Sequence, residues 1–270
     1  MSTPMKPTRI DLGTGEVILD VEGPVAWLTF NRPQARNAMT WAMYDALHAA
    51  CERVDADEGI RILVLRGAGD RAFVAGTDIS QFQAFRTAED ALNYERNVDR
   101  YASRLEAIRK PTIAMIRGYC VGGGAAIAMA CDLRIAGRDA KFGVPIARTL
   151  GNTLSAQNLA RLVALTGPGR AKDLLFTARF IEAEEGKAIG LFNEIVGAED
   201  LESRTRELAT RIAGYAPLTI RSLKEGVRRL LARGHIEETT DLYLMCYLSE
   251  DFKEGVSAFL EKREPRWLGR

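Results

Sequence analysis

The spacing of apolar residues along the first half of the chain predicts strands that alternate with helices. Two segments rich in β-branched and aromatic residues, 17–21 and 25–30, predict a pair of strands joined by a turn. Apolar residues spaced three and four apart then predict a helix from a cap at Thr40 to about Asp57. The continuous apolar run 62–65 is typical of a strand buried on both faces.

The same alternation continues through the middle of the chain. Helical spacing extends from Ala88 to Lys110 and ends there, because a proline follows and restricts the residue before it. The apolar segments 112–116 and 133–136 predict two further strands, with a helix of small residues over 125–130 between them. Strands and helices in this order predict an α/β core with right-handed crossovers.

The pattern changes near Ser155. From there helical spacing dominates, and Glu194–Val196 is the one segment that resembles a strand. We therefore expect the last third of the chain to be a mostly helical appendage. With 270 residues, of which 47% are hydrophobic, the chain is long enough for one large α/β domain and such an appendage.

Composition argues against several classes of function. The net charge is +1, from 37 basic and 36 acidic side chains without long runs of one sign, so we do not expect nucleic-acid binding. Two histidines are too few to favour a histidine-based triad or a multi-histidine metal site. The cysteines lack CxxC spacing, which favours a reducing, cytoplasmic setting. We expect neither a signal peptide nor a membrane span, because no segment is suitably apolar.

Two glycine-containing segments contain the candidate chemistry. Gly118–Gly124 connects a predicted strand to the helix of small residues, and Phe73–Ile79 lies upstream. Glycine lets a ligand approach the backbone, and a helix start offers free N–H groups. Two such groups converging on one carbonyl oxygen would form an oxyanion hole. A phosphate site is not favoured, since Gly-Lys-Ser/Thr and GxGxxG patterns are absent, and glycines that merely allow helix–strand packing are the alternative.

Five stretches of the sequence resemble the enoyl-CoA hydratase/isomerase (crotonase) family, and together they span nearly the whole chain. In order they are LTFNRPQARNAM, ILVLRGAGDRAFVAGTDI, KPTIAMIRGYCVGGGAAIAMACDLRIA, KFGVP and DFKEGVSAFLEKREP. The resemblance implies a crotonase-like spiral ββα core over residues 1–200 and a helical C-terminal trimerisation region over 201–270. It also implies a homotrimer or a dimer of trimers.

For the site, the resemblance implies a pocket that binds an acyl-CoA thioester, with no cofactor beyond the CoA of the substrate. Two backbone N–H groups, which fall on Ala75 and Gly123, would hold the thioester oxygen and stabilise an enolate-like intermediate. Neighbouring residues of the two segments are expected to contact the substrate: Gly76, Thr77, Asp78, Ile79 and Gly122. Asp78 is also suited to cap a helix that begins at Ile79.

Cations are expected at the rim of this pocket, because CoA carries phosphates. The resemblance places a CoA-contacting turn in the stretch NRPQARN, where Ala35 would contribute and Arg32 or Arg36 would lie near phosphate. Lys253 and Lys262, near the C-terminus, are further candidates, for this subunit or a neighbouring one. For each cation, a solvated charged face is the alternative.

The sequence departs from the family pattern at two positions. Hydratases of the family have a glutamate three residues after the second donor, where this chain has Ala126, and another after FGxP, where it has Ile146. These two carboxylates are the acid and the base that move water across the double bond. Because each such group contributes about 10²–10⁴-fold in rate, we expect inefficient hydration of a 2-enoyl-CoA.

Three residues that follow Ile146 are candidates to replace the missing acids. Arg148 would clamp a substrate carboxylate, as in a decarboxylase, or would form a surface ion pair. Asn152 and Ser155 lie where other family branches have catalytic side chains, although capping a helix is the commoner role of such a serine. The sequence leaves open a lyase, isomerase, decarboxylase or thioester hydrolase, and also a non-catalytic acyl-CoA-binding or scaffold protein.

Overall fold

A computed structural model describes residues 7–84, 88–149, 153–231, 249–251 and 265–270, and the single residues 254, 258, 261 and 263. Its strands are β1 (Thr8–Ile10), β2 (Val17–Glu22), β3 (Val25–Phe30), β4 (Ile62–Gly67), β5 (Ala72–Ala75), β6 (Thr112–Ile116), β7 (Tyr119–Val121), β8 (Leu133–Gly137), β9 (Lys141–Gly143), β10 (Ile181–Glu182) and β11 (Glu194–Val196). Its α-helices are α1 (Trp41–Ala56), α2 (Ala88–Glu106), α3 (Gly123–Ala130), α4 (Ile146–Thr149), α5 (Ala156–Thr166), α6 (Pro168–Thr177), α7 (Ala183–Ala188), α8 (Leu201–Ala213) and α9 (Pro217–Leu231). Two 3-10 turns cover Pro33–Ala35 and Ile79–Ala84.

The strands form two sheets. The larger sheet has the order β1-β2-β3-β4-β6-β8-β11 and is parallel from β3 onward. The smaller sheet has the order β10-β9-β7-β5, in which β9, β7 and β5 are parallel. Helices connect successive parallel strands of the larger sheet, so the α/β class predicted from the sequence is confirmed.

The larger sheet is buried on both faces, as its central strand β4 predicts. Leu63 and Leu65 belong to the main apolar core, which α1, α2 and α3 share with the sheet. Ile62 and Val64 point to the other face, which α8 covers. α8 therefore packs on the sheet, although the resemblance assigned it to the C-terminal region. The boundary at residue 200 and the trimer stay predictions.

The ends of the main helices follow from local chemistry. Thr40 caps α1 as predicted, since its hydroxyl oxygen accepts a hydrogen bond from the Met43 N–H at 3.2 Å. α2 ends at Glu106, earlier than the predicted Lys110. α3 begins at Gly123 rather than at the predicted residue 125, because the glycines themselves form its first turn.

The smaller sheet is absent from the sequence prediction. Its strands have only two to four residues each, too few for an alternating or apolar pattern to stand out. Both glycine segments begin at its strands, β5 and β7. None of the described helices is long and apolar enough to cross a membrane.

Candidate active site

The two glycine segments meet at one edge of the smaller sheet. β5 and β7 are parallel neighbours, with Ala75 opposite Val121 at their carboxyl ends. The segment Gly76–Asp78 follows β5, and Gly122 leads from β7 into α3. Because the carboxyl ends of parallel strands share an edge, the sheet brings together two loops that are distant in sequence.

Helix α3 packs directly on β5. A methyl group at Gly124 would lie 2.1 Å from the Val74 carbonyl oxygen, so only glycine allows this approach. A methyl group at Gly123 would lie 3.5 Å from the backbone nitrogen of Thr77, which makes these two residues spatial neighbours. The packing interpretation of the glycines therefore holds for Gly124, and the same packing sets the first turn of α3 beside the loop after β5.

The hydrogen bonds of this loop show which N–H groups are already engaged. The Ala75 N–H donates to the Arg36 carbonyl oxygen at 3.0 Å. The prediction that Ala75 supplies an oxyanion donor is therefore wrong, because its N–H is paired within the fold. The Asp78 N–H is likewise paired, with the Met39 carbonyl oxygen at 2.9 Å. Between them, the Thr77 N–H has no acceptor among the described residues.

The first turn of α3 presents a second unpaired donor. The Gly122 N–H donates to the Gly143 carbonyl oxygen at 3.0 Å, and the Ala126 N–H closes the first turn onto Gly122. The Gly123 N–H has no acceptor within the described part of the chain, as expected for the first residue of a helix. Thr77 and Gly123 thus offer two neighbouring N–H groups, to which the helix start adds partial positive charge.

Both residues line a cavity of about 210 Å³. Most of its wall is apolar, with Val98, Val121 and Leu154 among the lining side chains. Ala126 and Ile146 also border it. The positions where the resemblance expects two glutamates therefore do face the cavity, and they bring no charge to it.

One wall of the cavity carries a carboxylate that the sequence analysis missed. Glu95, on α2, is the one Asp or Glu among the described residues that line the cavity, and it is half-buried. No described residue hydrogen-bonds or ion-pairs with it. Burial and, second, the charge of Asp99 raise the pKa of Glu95. One sequence feature could have identified Glu95: it lies three residues before the buried Val98, at the edge of the apolar stripe of α2.

Asp99 is held by the start of α5. Its carboxylate accepts a hydrogen bond from the Ser155 hydroxyl and lies 3.5 Å from the amide nitrogen of Asn158. The Ser155 oxygen also accepts a hydrogen bond from the Asn158 N–H at 3.3 Å, which confirms that this serine caps α5. Ser155 does not line the cavity, so the structure gives it a role in positioning Asp99 rather than at the substrate.

Two phenols anchor the loop that contains Thr77. The Thr77 hydroxyl lies 2.9 Å from the Tyr44 hydroxyl and 3.3 Å from the Tyr94 hydroxyl. Tyr44 is fully buried and stacks on Tyr101, with 5.3 Å between ring centroids. Burial raises the pKa of both Tyr44 and Tyr94, so these hydroxyls stay neutral hydrogen-bonding groups. α1 and α2 thereby fix the position of the loop.

The remaining predicted replacement residues do not reach the cavity. Arg148 is exposed on α4 and is not part of the lining, so the structure does not support its predicted role as a substrate clamp. Its neighbour Thr149 does line the cavity, with its hydroxyl donating to the Pro145 carbonyl oxygen at 3.0 Å. Asn152 lies outside the described residues.

Of the predicted CoA contacts, Arg32 and Asp78 are engaged with each other. The Arg32 guanidinium lies 3.1 Å from the Asp78 carboxylate and 3.1 Å from Glu16, so it is paired rather than open to phosphate. Asp78 also accepts a hydrogen bond from the Ser80 N–H at 3.2 Å, which confirms that it caps the turn beginning at Ile79. Hydrogen bonds from Ser80 and Arg32 lower the pKa of Asp78.

Of the two arginines predicted to lie near phosphate, Arg36 is exposed, and its carbonyl oxygen pairs with the N–H of Ala75, which lines the cavity. Its guanidinium lies 5.5 Å from the centre of the Tyr119 ring, and no described residue forms an ion pair with it. Ala35 ends the preceding 3-10 turn, and Ile79, 55% exposed, lies where the cavity opens to solvent. The predicted CoA contacts Lys253 and Lys262 lie outside the described residues.

Other reactive groups are kept away from this chemistry. Cys51, Cys120 and Cys131 are buried, and none of them lines the cavity. Burial raises the pKa of Cys51 and Cys131 to about 12 and that of Cys120 further still, so these thiols are inert at neutral pH. Within the described ranges, no three His, Cys, Asp or Glu side chains are grouped so that they could hold a metal ion.

Known proteins resemble this chain along most of its length. The family model for enoyl-CoA hydratase/isomerase matches residues 20–270. A crotonyl-CoA hydratase from Syntrophomonas wolfei is 37% identical over 258 residues, which cover 94% of this chain and 98% of that protein. A short-chain-enoyl-CoA hydratase from Clostridium acetobutylicum is 36% identical, with coverage of 92% and 95%. The crystal structure of an enoyl-CoA hydratase/carnithine racemase from Magnetospirillum magneticum has a TM-score of 0.89 at 34% identity, with coverage of 96% and 97%. The chain therefore belongs to the enoyl-CoA hydratase/isomerase family of enzymes.

Proposed function

We propose that this enzyme binds an acyl-CoA thioester in the cavity and stabilises its enolate through the N–H groups of Thr77 and Gly123. The observation that carries the proposal is the pair of neighbouring unpaired N–H groups in a largely apolar cavity. The thioester oxygen carries more negative charge in the enolate than in the ground state, so these donors favour the transition state. Each donor of this kind contributes about 3–4 kcal/mol.

The acyl-CoA assignment has support from both the relatives and the rim of the cavity. The relatives from Syntrophomonas wolfei and Clostridium acetobutylicum are named as enoyl-CoA hydratases. Arg36 is the exposed cation at the rim, and we assign it to a phosphate of CoA, since Arg32 is paired with Asp78.

We propose further that hydration of a 2-enoyl-CoA is inefficient in this enzyme. Adding water across the double bond needs one group to activate the water and another to protonate the α-carbon. Ala126 and Ile146 border the cavity where those carboxylates are expected, and neither can exchange a proton. Loss of general acid–base help at two positions costs about 10²–10⁴-fold per group.

The test uses two thioesters, one that reports polarisation of its carbonyl group and one that measures hydration. 4-(Dimethylamino)cinnamoyl-CoA absorbs at longer wavelength when its carbonyl is polarised, so we expect a red shift on binding to the purified enzyme. Crotonyl-CoA should be hydrated slowly. The absence of a red shift would remove the oxyanion-hole proposal, and rapid turnover of crotonyl-CoA would contradict inefficient hydration. Binding of acyl-CoA thioesters without any product from a wider panel would instead favour the non-catalytic alternative.

A further inference from the structure

We propose that Glu95 is the carboxylate that moves the proton at the carbon next to the thioester carbonyl. This inference rests on the proposed function, because it requires the thioester oxygen to be held at Thr77 and Gly123. It assigns to α2 the proton transfer that family hydratases perform with carboxylates at the positions of Ala126 and Ile146.

The position of Glu95 supports this role. Glu95 lines the same cavity as the two backbone donors, and it is the one carboxylate that the described lining residues contain. The segment Pro145–Asn158 contains no Asp or Glu in its sequence, and neither does α3. Proton transfer from a carboxylate in this cavity is therefore left to α2.

Glu95 is also not held in place by the described part of the fold. Two other half-buried carboxylates are held in ion pairs: Glu106 lies 2.7 Å from Arg161, and Glu194 lies 2.5 Å from Arg204. Glu95 has neither an ion pair nor a hydrogen bond with any residue of the described part of the chain. A half-buried carboxylate without a structural partner has lost hydration and gained nothing from the fold, which is characteristic of functional groups.

The charged and titratable groups around Glu95 also suit a base. Facing it are Asp99 and Tyr94 on its own helix and Tyr44 on α1, while α3 carries no titratable side chain. None of these neighbours is a cation. Burial and the Asp99 charge raise the pKa of Glu95, which makes its ionised form a stronger base.

Asp99 acts as a positioning residue in this arrangement. It lies one helical turn after Glu95, and the Ser155 hydroxyl fixes its carboxylate. Its negative charge discourages ionisation of Glu95 and keeps the Glu95 pKa closer to neutrality. The start of α5 thereby tunes a carboxylate on α2 without contacting the substrate.

The proton transfer balances without any co-reactant. The C2–H bond of the thioester breaks, the proton moves to a carboxylate oxygen of Glu95, and the electron pair forms the C1–C2 double bond of the enolate. The negative charge rests on the thioester oxygen, between the Thr77 and Gly123 N–H groups. Once the Glu95 carboxyl group has exchanged its proton with solvent, returning a proton to the same face of C2 gives isotope exchange, and delivering it to C4 of a 3-enoyl-CoA moves the double bond. A single carboxylate suffices for either outcome, whereas hydration requires two groups.

The substrate class that follows is an acyl-CoA with an acidic hydrogen at C2. The experiment incubates the enzyme in D₂O with acetyl-CoA, butyryl-CoA or 3-hexenoyl-CoA. Deuterium at C2 and migration of the double bond are followed by mass spectrometry and NMR. We expect turnover of at least one of these thioesters by the wild-type enzyme. Glu95→Gln should reduce that rate by about 10²–10⁴-fold and remove the rise in rate with pH.

A matched control and an independent probe separate this inference from the proposed function. Glu207→Gln removes an exposed carboxylate on α8, outside the cavity, and should leave the rate unchanged. The red shift of 4-(dimethylamino)cinnamoyl-CoA should persist in Glu95→Gln, because the backbone donors are intact. An undiminished exchange rate in Glu95→Gln would overturn the role of Glu95 and leave the proposed function standing. A wild-type enzyme with neither red shift nor exchange would overturn both.

Discussion

The two walls of the cavity differ in what holds them and in what they offer a substrate. The wall formed by the loop after β5 and by α3 offers backbone N–H groups. Hydrogen bonds between main-chain atoms hold it, together with the contacts of the Thr77 hydroxyl with Tyr44 and Tyr94. The wall formed by α2 offers a side chain, Glu95, which forms no hydrogen bond or ion pair with any described residue. A backbone donor depends on the path of the chain and survives side-chain replacement. A carboxylate depends on one residue. A single substitution can remove it from one wall of the cavity, and a carboxylate on another wall can take over its role.

This contrast explains how one site combines retained and altered features. The glycine segments keep α3 against β5, and Gly124 admits no side chain because of the Val74 carbonyl oxygen. Ala126 and Ile146 meet no comparable constraint, since a cavity lies in front of them. The half of the site that we propose stabilises the enolate is therefore coupled to the fold, and the half that we propose transfers the proton is not.

Among the variants other than Glu95→Gln, the largest effect is expected from disturbing the backbone wall. In Gly123→Ala, the new methyl group would lie 2.5 Å from the Tyr44 hydroxyl and 3.2 Å from the Thr77 hydroxyl, so either the first turn of α3 or the side chains that anchor the Thr77 loop must shift. We expect kcat/KM for the best thioester to fall by about 10²–10³-fold, as for loss of one oxyanion donor. The red shift of bound 4-(dimethylamino)cinnamoyl-CoA should shrink in parallel.

Gly169→Ala is the control for this variant, because a methyl group there meets no atom within 4 Å. It should retain full activity and a normal melting temperature. If Gly123→Ala kept both its activity and its red shift while remaining folded, the backbone wall would not be the source of enolate stabilisation.

The second largest effect is expected from rebuilding the wall that lacks acids. The double variant Ala126→Glu/Ile146→Glu places two carboxylates at the lining positions where the family pattern has them. We expect hydration of crotonyl-CoA to increase by about 10²-fold, the low end of what positioned acid–base groups contribute. The matched double variant Ala126→Gln/Ile146→Gln has the same volume without the charge and should not gain activity. Equal gains in both would show that the missing acids do not limit hydration.

The two sheets differ in how well the sequence predicts them. Six strands of the larger sheet were predicted from the sequence: β2, β3, β4, β6, β8 and β11. The apolar runs 25–30, 62–65 and 112–116 are long enough to show burial on both faces. The smaller sheet was missed, since its strands are short and β5 merges with the loop that follows it. Pairing between β5 and β7 is a long-range contact, which local pattern does not encode.

The sequence predicted the location of the site more accurately than the functional groups within it. The sequence brought segments 73–79 and 118–124 together, and the structure confirms their meeting. The resemblance placed the first donor at Ala75. The sequence could not show that the Ala75 N–H is hydrogen-bonded within the fold and that the Thr77 N–H has no described acceptor. Glu95 was missed for a related reason: a charged residue in a helical pattern is usually solvated, and the cavity it lines exists only in the fold.

A smaller effect on the pH profile is expected from Asp99→Asn. The rate of proton abstraction should rise with pH as Glu95 ionises. Because the Asp99 charge raises the pKa of Glu95, its removal lowers that pKa, and the rising limb should move to lower pH. The plateau rate should change only a few-fold. The measurement is the pH dependence of deuterium incorporation at C2.

Ser155→Ala separates the charge of Asp99 from its positioning. This variant removes the hydroxyl that holds Asp99 and the cap of α5, at a cost of about 1 kcal/mol in the free energy of unfolding. The Asp99 charge remains, so the rising limb should stay closer to its wild-type position than in Asp99→Asn. A shift of the limb to higher pH in Asp99→Asn would contradict the assignment of that limb to Glu95.

The smallest effect is expected at the exposed cations. Arg148 lies outside the cavity lining, so Arg148→Ala should change kcat/KM by less than about twofold, as for a solvated surface arginine. Arg36→Ala, at the rim beside Tyr119, should raise KM several-fold without lowering kcat, because a phosphate contact contributes equally to the ground and transition states. A loss of kcat in Arg148→Ala with the red shift intact would indicate that this arginine reaches a substrate carboxylate. That result would favour decarboxylation as the reaction, with the catalytic side chain on α4 and not on α2.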